Sequence, residues 1–303
     1  MENIKNLIYN YPKQKECKII DLILESGAAN GSYHLGCVMY LFGLEQKNII
    51  KIDRISGSSI GSIIALYYFT NTLDEFFKDY QKLRECFKQN LNVKILKDLL
   101  KNKISLIDDK TFNLIKTKLY IVYHSINNRE QIIKTNFKDK EDLYHSILKS
   151  SHIPYITDGN YFYEHDNDKF FDGGIPYIFP ERNSDNNIVY VSINNLYNLN
   201  GFFSVKKEKN NYGRFLKGAL DAHQLFLYNK RGIFCSYINN WNIFDYFILR
   251  FKQLFMKIIF FTFISFYYVF NMLYPYIGSI VVLQNITTIF KNIYRDVILF
   301  YCL

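Results

Sequence analysis

Two strand-turn-helix units follow one another near the start of the chain, and they restrict the fold more than any other feature of the sequence. Ile19, Ile20, Leu22, Ile23 and Leu24 form a short apolar run ended by a glycine-containing turn, the pattern of a strand buried on both faces. The stretch from Tyr33 to Leu44 then has the length and apolar content of a buried helix. A second short strand, Ile52 to Ser56, runs into Gly57-Ser58-Ser59-Ile60-Gly61 and on into the apolar stretch Ser62 to Phe69. Strand, turn and helix repeated in this order predict an α/β domain built on a parallel sheet.

Residues 73–118 read as mainly helical, with Phe76, Phe77, Tyr80, Leu83, Phe87 and Leu91 recurring at threes and fours among lysines, which predicts an amphipathic helical insertion. Short β-type runs resume at Leu119 to Tyr123 and Ile132 to Thr135, Ile188 to Ile193 is the clearest late strand, and 212–230 reads as a helix. The C-terminal part differs in kind. From Ile258 to Phe290 no residue is charged, and a bilayer is crossed by about 20 apolar residues. Asn271 and Pro275 interrupt the run, so three forms fit it: a kinked spanning helix, an in-plane hairpin, or an apolar helical layer. Basic residues flank both ends and give no orientation.

The five cysteines, Cys17, Cys37, Cys86, Cys235 and Cys302, are odd in number and lack C-x-x-C spacing, which argues against a disulfide framework or zinc site and fits a reducing compartment. The first twenty residues hold no uninterrupted apolar core of signal-peptide type, so export by that route is not expected. A net charge of +9 admits nucleic acid or an anionic membrane as partner. The lysines are dispersed and no nucleic-acid readout motif is present, so nucleic acid is not expected.

Three glycine turns carry the chemistry. Gly57 to Gly61 fits G-x-S-x-G between a strand and a helix, the arrangement of a nucleophile elbow, with Ser59 at the helix N-terminus where developing negative charge is favoured. Only Ser59 has glycines at both minus two and plus two; Ser58 is its decoy. Upstream, the run Ser26-Gly27-Ala28-Ala29-Asn30-Gly31 leaves several backbone N–H groups unblocked at a helix start, as an anion nest or oxyanion hole requires. The third turn, Phe171-Asp172-Gly173-Gly174, lets a carboxylate sit in a tight loop against another group. A Ser59, Asp172, His223 triad satisfies chain order alone, and Asp158-Gly159 is a rival acidic turn without the second glycine. His34 reads as a packed structural residue.

In this order the three elements resemble the patatin-like phospholipase family, whose pattern is G-G-G-x-x-G, then G-x-S-x-G, then D-G-G or D-G-A. The flanking stretches SYHLG, SSHIP and DGGIPYIFP are similar to that family's surroundings. The resemblance spans about residues 17–195 and implies an α/β three-layer sandwich with a mostly parallel central sheet, to which the apolar run adds a C-terminal hydrophobic helical segment. With the uncharged C-terminal run read separately, the expected organisation is an N-terminal arm at 1–16, an acyl hydrolase domain at 17–235 that includes the 73–118 insertion, and a membrane-associated segment at 236–303. The resemblance further implies Ser59 as nucleophile, Asp172 as its base without a histidine, and an oxyanion hole from Gly27, Ala28, Ala29 and Ile60. Motif positions are Ser26, Gly31, Gly57, Gly61, Gly173 and Gly174. The expected activity is lipid acyl hydrolysis of phospholipase A or lysophospholipase type, through an acyl-enzyme, on membrane phospholipid or acylglycerol. No metal or other cofactor is expected. The expected place is a membrane surface, with the catalytic domain on the cytosolic side and a transmembrane or in-plane segment at about 258–283. Ser26 and Ala28 replace two family glycines, and Asn30 stands where many members carry Arg or Lys. An impaired relative that binds lipid or membrane without hydrolysis is therefore the alternative.

Overall fold

The computed structural model describes residues 2–12, 16–27, 30–90, 92–180, 187–193, 212–277 and 289. It divides into two units, Met1–Leu199 with Glu208–Asn240, and Asn200–Lys207 with Trp241–Leu303.

In the first unit the elements run α1 (Glu2–Tyr9), β1 (Lys18–Leu24), α2 (Gly31–Gln46), β2 (Ile50–Ser58), α3 (Ile60–Phe69), α4 (Leu73–Asn90), α5 (Leu96–Ser105) and α6 (Asp109–Lys118). They continue with β3 (Leu119–Ser125), β4 (Glu130–Lys134), α7 (Lys140–Ser150), β5 (Tyr163–His165), β6 (Asp168–Asp172), β7 (Asn187–Val191), α8 (Tyr212–Tyr228) and β8 (Cys235–Tyr237). One sheet in the order β5-β6-β3-β2-β1-β7-β8, with β4 also on β3, forms the centre. The β3-β2-β1-β7 core is parallel, and antiparallel pairs close both edges. This is the expected mixed α/β fold, a mostly parallel sheet flanked by helices.

The apolar runs account for the centre. Ile20, Leu22, Ile23 and Leu24 of β1 are fully buried, each worth about 1.5–3 kcal/mol relative to exposure. Asp21 breaks the run, and its carboxylate is held by Arg54 of β2, whose Nε donates at 3.0 Å. The Phe179 ring covers that guanidinium at 4.1 Å. α2 and α3 are buried on nearly every face, as helices between a sheet and further helices must be.

The 73–118 region contributes to the core: Phe76, Tyr80, Leu83, Phe87, Leu100, Ile104 and Ile115 are buried. Its stripe of threes and fours is the inner face of α4, with α5 and α6 following it. Residue 91 lies outside the described residues. At the N-terminus α1 buries Ile4, and Lys47 caps its end by donating to the Ile8 carbonyl at 2.8 Å.

In the second unit, α9 (Ile243–Ile277) starts in a reciprocal cap. The Asp245 N–H donates to Asn242 Oδ1 at 3.0 Å and the Asn242 N–H to Asp245 Oδ2 at 3.1 Å, satisfying two otherwise orphan donors. Asn271 and Pro275 do not interrupt the helix as expected. Asn costs only about 0.7 kcal/mol or less in a helix interior, and Pro275 falls in the last turn, where little helix remains to break. Among the described residues no helix is long and apolar enough to cross a membrane. Residues 278–283 of the expected segment lie outside the described residues.

Candidate active site

β1 and β2 run parallel and side by side, so the loops that leave their C-terminal ends meet at one edge of the sheet, where open α/β sheets carry their sites. β2 ends in the 57–61 turn. Ser59 adopts φ 54° and ψ −126°, a left-handed region that a side chain enters only at a cost of about 1–3 kcal/mol. Gly61 makes the turn possible by letting α3 press on β1: a Cβ there would lie 2.5 Å from the Leu24 carbonyl oxygen. Gly57 packs under the same first turn of α3. Several bonds hold the strained residue. Its N–H donates to Ser150 Oγ at 3.0 Å, and its carbonyl accepts from the Ser62 hydroxyl at 2.7 Å and the Ser62 N–H at 2.9 Å. Ile60 follows as the first residue of α3, so its N–H has no acceptor within the helix.

β6 brings Asp172 to the same place. It pairs antiparallel with β3, setting Asp172 opposite Tyr123, while β3 lies parallel to β2. Gly173 is required by a close approach: a Cβ would overlap the Val122 carbonyl and reach Ser58 Oγ at 2.7 Å. Gly174, at φ 64°, turns its N–H back onto Asp172 Oδ1 at 2.7 Å. The Asp172 N–H donates to the His152 carbonyl at 2.9 Å, and His124 Nδ1 donates to the Asp172 carbonyl at 2.9 Å. The Ser59 hydroxyl sits close enough to the Asp172 carboxylate to favour its charged form. Withdrawal from solvent pushes that carboxyl up to about 6, against the downward pull of the nearby Ser59 hydroxyl and of the bond from Gly174. The result is a serine at the N-terminus of a buried helix, beside a carboxyl that burial raises to about 6. Ser58 is fully buried beside Gly173.

The first glycine turn lies alongside. Gly31, the first residue of α2, packs against Ile60, whose Cγ1 would lie 2.6 Å from an added Cβ, and its N–H bonds the Tyr80 phenol oxygen. The Asn30 N–H donates to the Gly27 carbonyl at 2.8 Å, and Asn30 Oδ1 accepts from Arg214 Nη1 at 2.9 Å. Gly27 packs against Ile193, and Ser26 lies between it and Glu25. Buried Glu25 anchors the loop on β7: its N–H donates to the Val191 carbonyl at 3.1 Å, and its carboxylate accepts the Ser192 hydroxyl at 2.5 Å. Ala28 and Ala29 lie outside the described residues.

The rival residues are engaged elsewhere. Asp158 forms an ion pair with Lys97 at 2.6 Å. His223 Nδ1 shares a hydrogen bond of 2.9 Å with the Tyr40 hydroxyl. His34 is fully buried 3.4 Å from the Val191 carbonyl, and burial pulls it down to about 4. Sequence reasoning did not single out Ser150 or His124. Ser150 begins the SSHIP stretch, but its role is visible only across space: besides Ser59 it bonds the Val122 carbonyl at 2.6 Å, and its own carbonyl accepts from Gly173 at 3.3 Å.

The model of the patatin-like phospholipase family matches residues 22–183, more than half of the chain. The chain is also similar to patatin-like phospholipase domain-containing protein 4 of Homo sapiens, 25% identical over 171 residues, covering 54% of this chain and 67% of that protein.

Proposed function

The chain belongs to the patatin-like phospholipase family, and on that footing we propose that it hydrolyses lipid esters by a Ser59–Asp172 dyad. Asp172, as carboxylate, takes the Ser59 proton while Ser59 Oγ attacks the ester carbonyl. The tetrahedral oxyanion is received by backbone N–H groups of the first glycine turn, Gly27, Ala28 and Ala29, together with Ile60. Collapse expels the alcohol, protonated by Asp172, and leaves an acyl-Ser59 ester. Water deprotonated by Asp172 then releases the fatty acid and restores the serine. The observation that carries the reading is the Ser59 hydroxyl set beside a carboxylate that burial lifts to about 6. An aspartate at its ordinary value of 3.8 would be a far weaker base.

The substrate class is membrane phospholipid, lysophospholipid or acylglycerol, cleaved as a phospholipase A or lysophospholipase would, at a membrane surface. The odd cysteine count without C-x-x-C pairs favours the cytosolic side. The test is release of fatty acid from vesicles or micelles of these lipids by the full chain and by Ser59→Ala. Release by the wild type, abolished in the variant, supports the reading. A folded wild type that binds the lipids and releases nothing replaces it with the lipid-binding alternative.

A further inference from the structure

The family match ends at residue 183, so it leaves α9 unexplained. Along this helix Phe244, Phe247, Phe251, Leu254, Ile258 and Phe261 recur at alternating threes and fours, which places them on one face. Each is at least half exposed. The ridge continues to Met272, 74% exposed, and at 1.5 Å per residue it extends about 42 Å. Six large apolar side chains in one exposed line exceed what a surface helix ordinarily leaves in water.

The charges decide what covers it. The helix carries one acidic residue, Asp245, at its start, and three basic ones, Arg250, Lys252 and Lys257. Arg250 and Lys257, both exposed, each precede a ridge residue, so they line the same border one heptad apart. The other border, at Phe255, Thr262 and Val269, is uncharged. A second copy of this helix would therefore gain no ion pairs: antiparallel pairing sets cation against cation, and parallel pairing sets each cation against an uncharged border. Spanning does not fit the stretch from Phe244 to Phe261, because Arg250, Lys252 and Lys257 fall within it and a charged side chain in a bilayer core is costly. An anionic lipid surface complements both features, taking the aromatic ridge into the acyl boundary and the cations at the headgroups.

We propose that α9 is a docking helix that lies in the plane of an anionic lipid surface, with the Phe244 to Phe261 ridge immersed and Arg250 and Lys257 among the headgroups. This rests on the lipid-hydrolase reading only for the place where the substrate is met. The test is cosedimentation of the full chain with phosphatidylcholine vesicles, with and without phosphatidylserine, alongside fluorophosphonate labelling in solution. The wild type should bind the anionic vesicles more tightly. Charge reversal at Arg250→Glu with Lys257→Glu, both exposed and so not needed for folding, should remove that preference and weaken anionic binding by at least about ten-fold. Phe247→Asp with Phe251→Asp should weaken binding to both vesicle types, while labelling at Ser59 stays at the wild-type rate and reports an intact fold. Wild-type binding unchanged by both double variants overturns the proposal. So does a wild-type dimer in sedimentation velocity that Phe247→Asp with Phe251→Asp dissociates. Absence of Ser59 labelling alongside intact vesicle binding would instead count against the hydrolase reading alone.

Discussion

Capture of Ser59 by a fluorophosphonate should follow the ionisation of Asp172 through a pH range in which an ordinary aspartate no longer titrates. The perturbation is pH alone. With the carboxyl at about 6, about one molecule in eleven is ionised at pH 5 and about ten in eleven at pH 7, so the labelling rate should rise about ten-fold between them. At the ordinary value of 3.8 the group would already be more than ~90% ionised at pH 5, and the rate would change by less than about a tenth. The sign is fixed by the role: the base works deprotonated, so activity is lost as pH falls through about 6. The same shift has a stability consequence of opposite sense. Between 3.8 and about 6 the folded chain holds this proton more tightly than the unfolded chain, so stability from this group falls as pH rises through that window. Asp172→Asn should therefore flatten the acid limb, slow labelling, and leave a fold no less stable at neutral pH. Stopped-time labelling read by in-gel fluorescence gives the rates. A flat wild-type profile from pH 5 to 7, or an acid limb that survives in Asp172→Asn, would refute the reasoning.

Other perturbations test the frame around the dyad. Gly173→Ala drives a Cβ into the Val122 carbonyl and against Ser58 Oγ; expect a loss of about 1–3 kcal/mol in urea denaturation together with loss of labelling. Ser150→Ala leaves the buried Ser59 N–H without its acceptor, at a cost of about 1–3 kcal/mol. Its labelling rate should fall while the Asp172 acid limb keeps its midpoint, and Ser150→Thr, which keeps the hydroxyl, should recover much of the rate. Asp21→Leu strips the buried Arg54 of its carboxylate and should cost about 3–5 kcal/mol in denaturant midpoint measurements, with Arg54→Met in the same chain restoring most of it.

The parallel centre was legible because both faces of β1 and β2 are covered, which forces near-continuous apolar runs such as Ile20, Leu22, Ile23 and Leu24 in β1. The turns were legible because close approaches leave glycine no substitute, as at Gly61 and Gly173. The β5–β6 hairpin was not, since three- and five-residue strands with Asp, Lys and Glu lack a periodic pattern. The value of the Asp172 carboxyl and the grip of Ser150 on Ser59 depend on α7, β3 and β6 converging from distant parts of the chain, which no local spacing encodes. In α9, Asn271 and Pro275 read as breaks because their local preferences oppose helix, yet they fall where the helix is already established or about to end.

The most direct measurement is the site of covalent capture. After reaction of the full chain with a fluorophosphonate, proteolysis and mass spectrometry should find one adduct, on Ser59, absent from Ser59→Ala and strongly reduced in Asp172→Asn. An adduct on another serine, or equal labelling of wild type and Ser59→Ala, would contradict the assignment of Ser59 as the nucleophile.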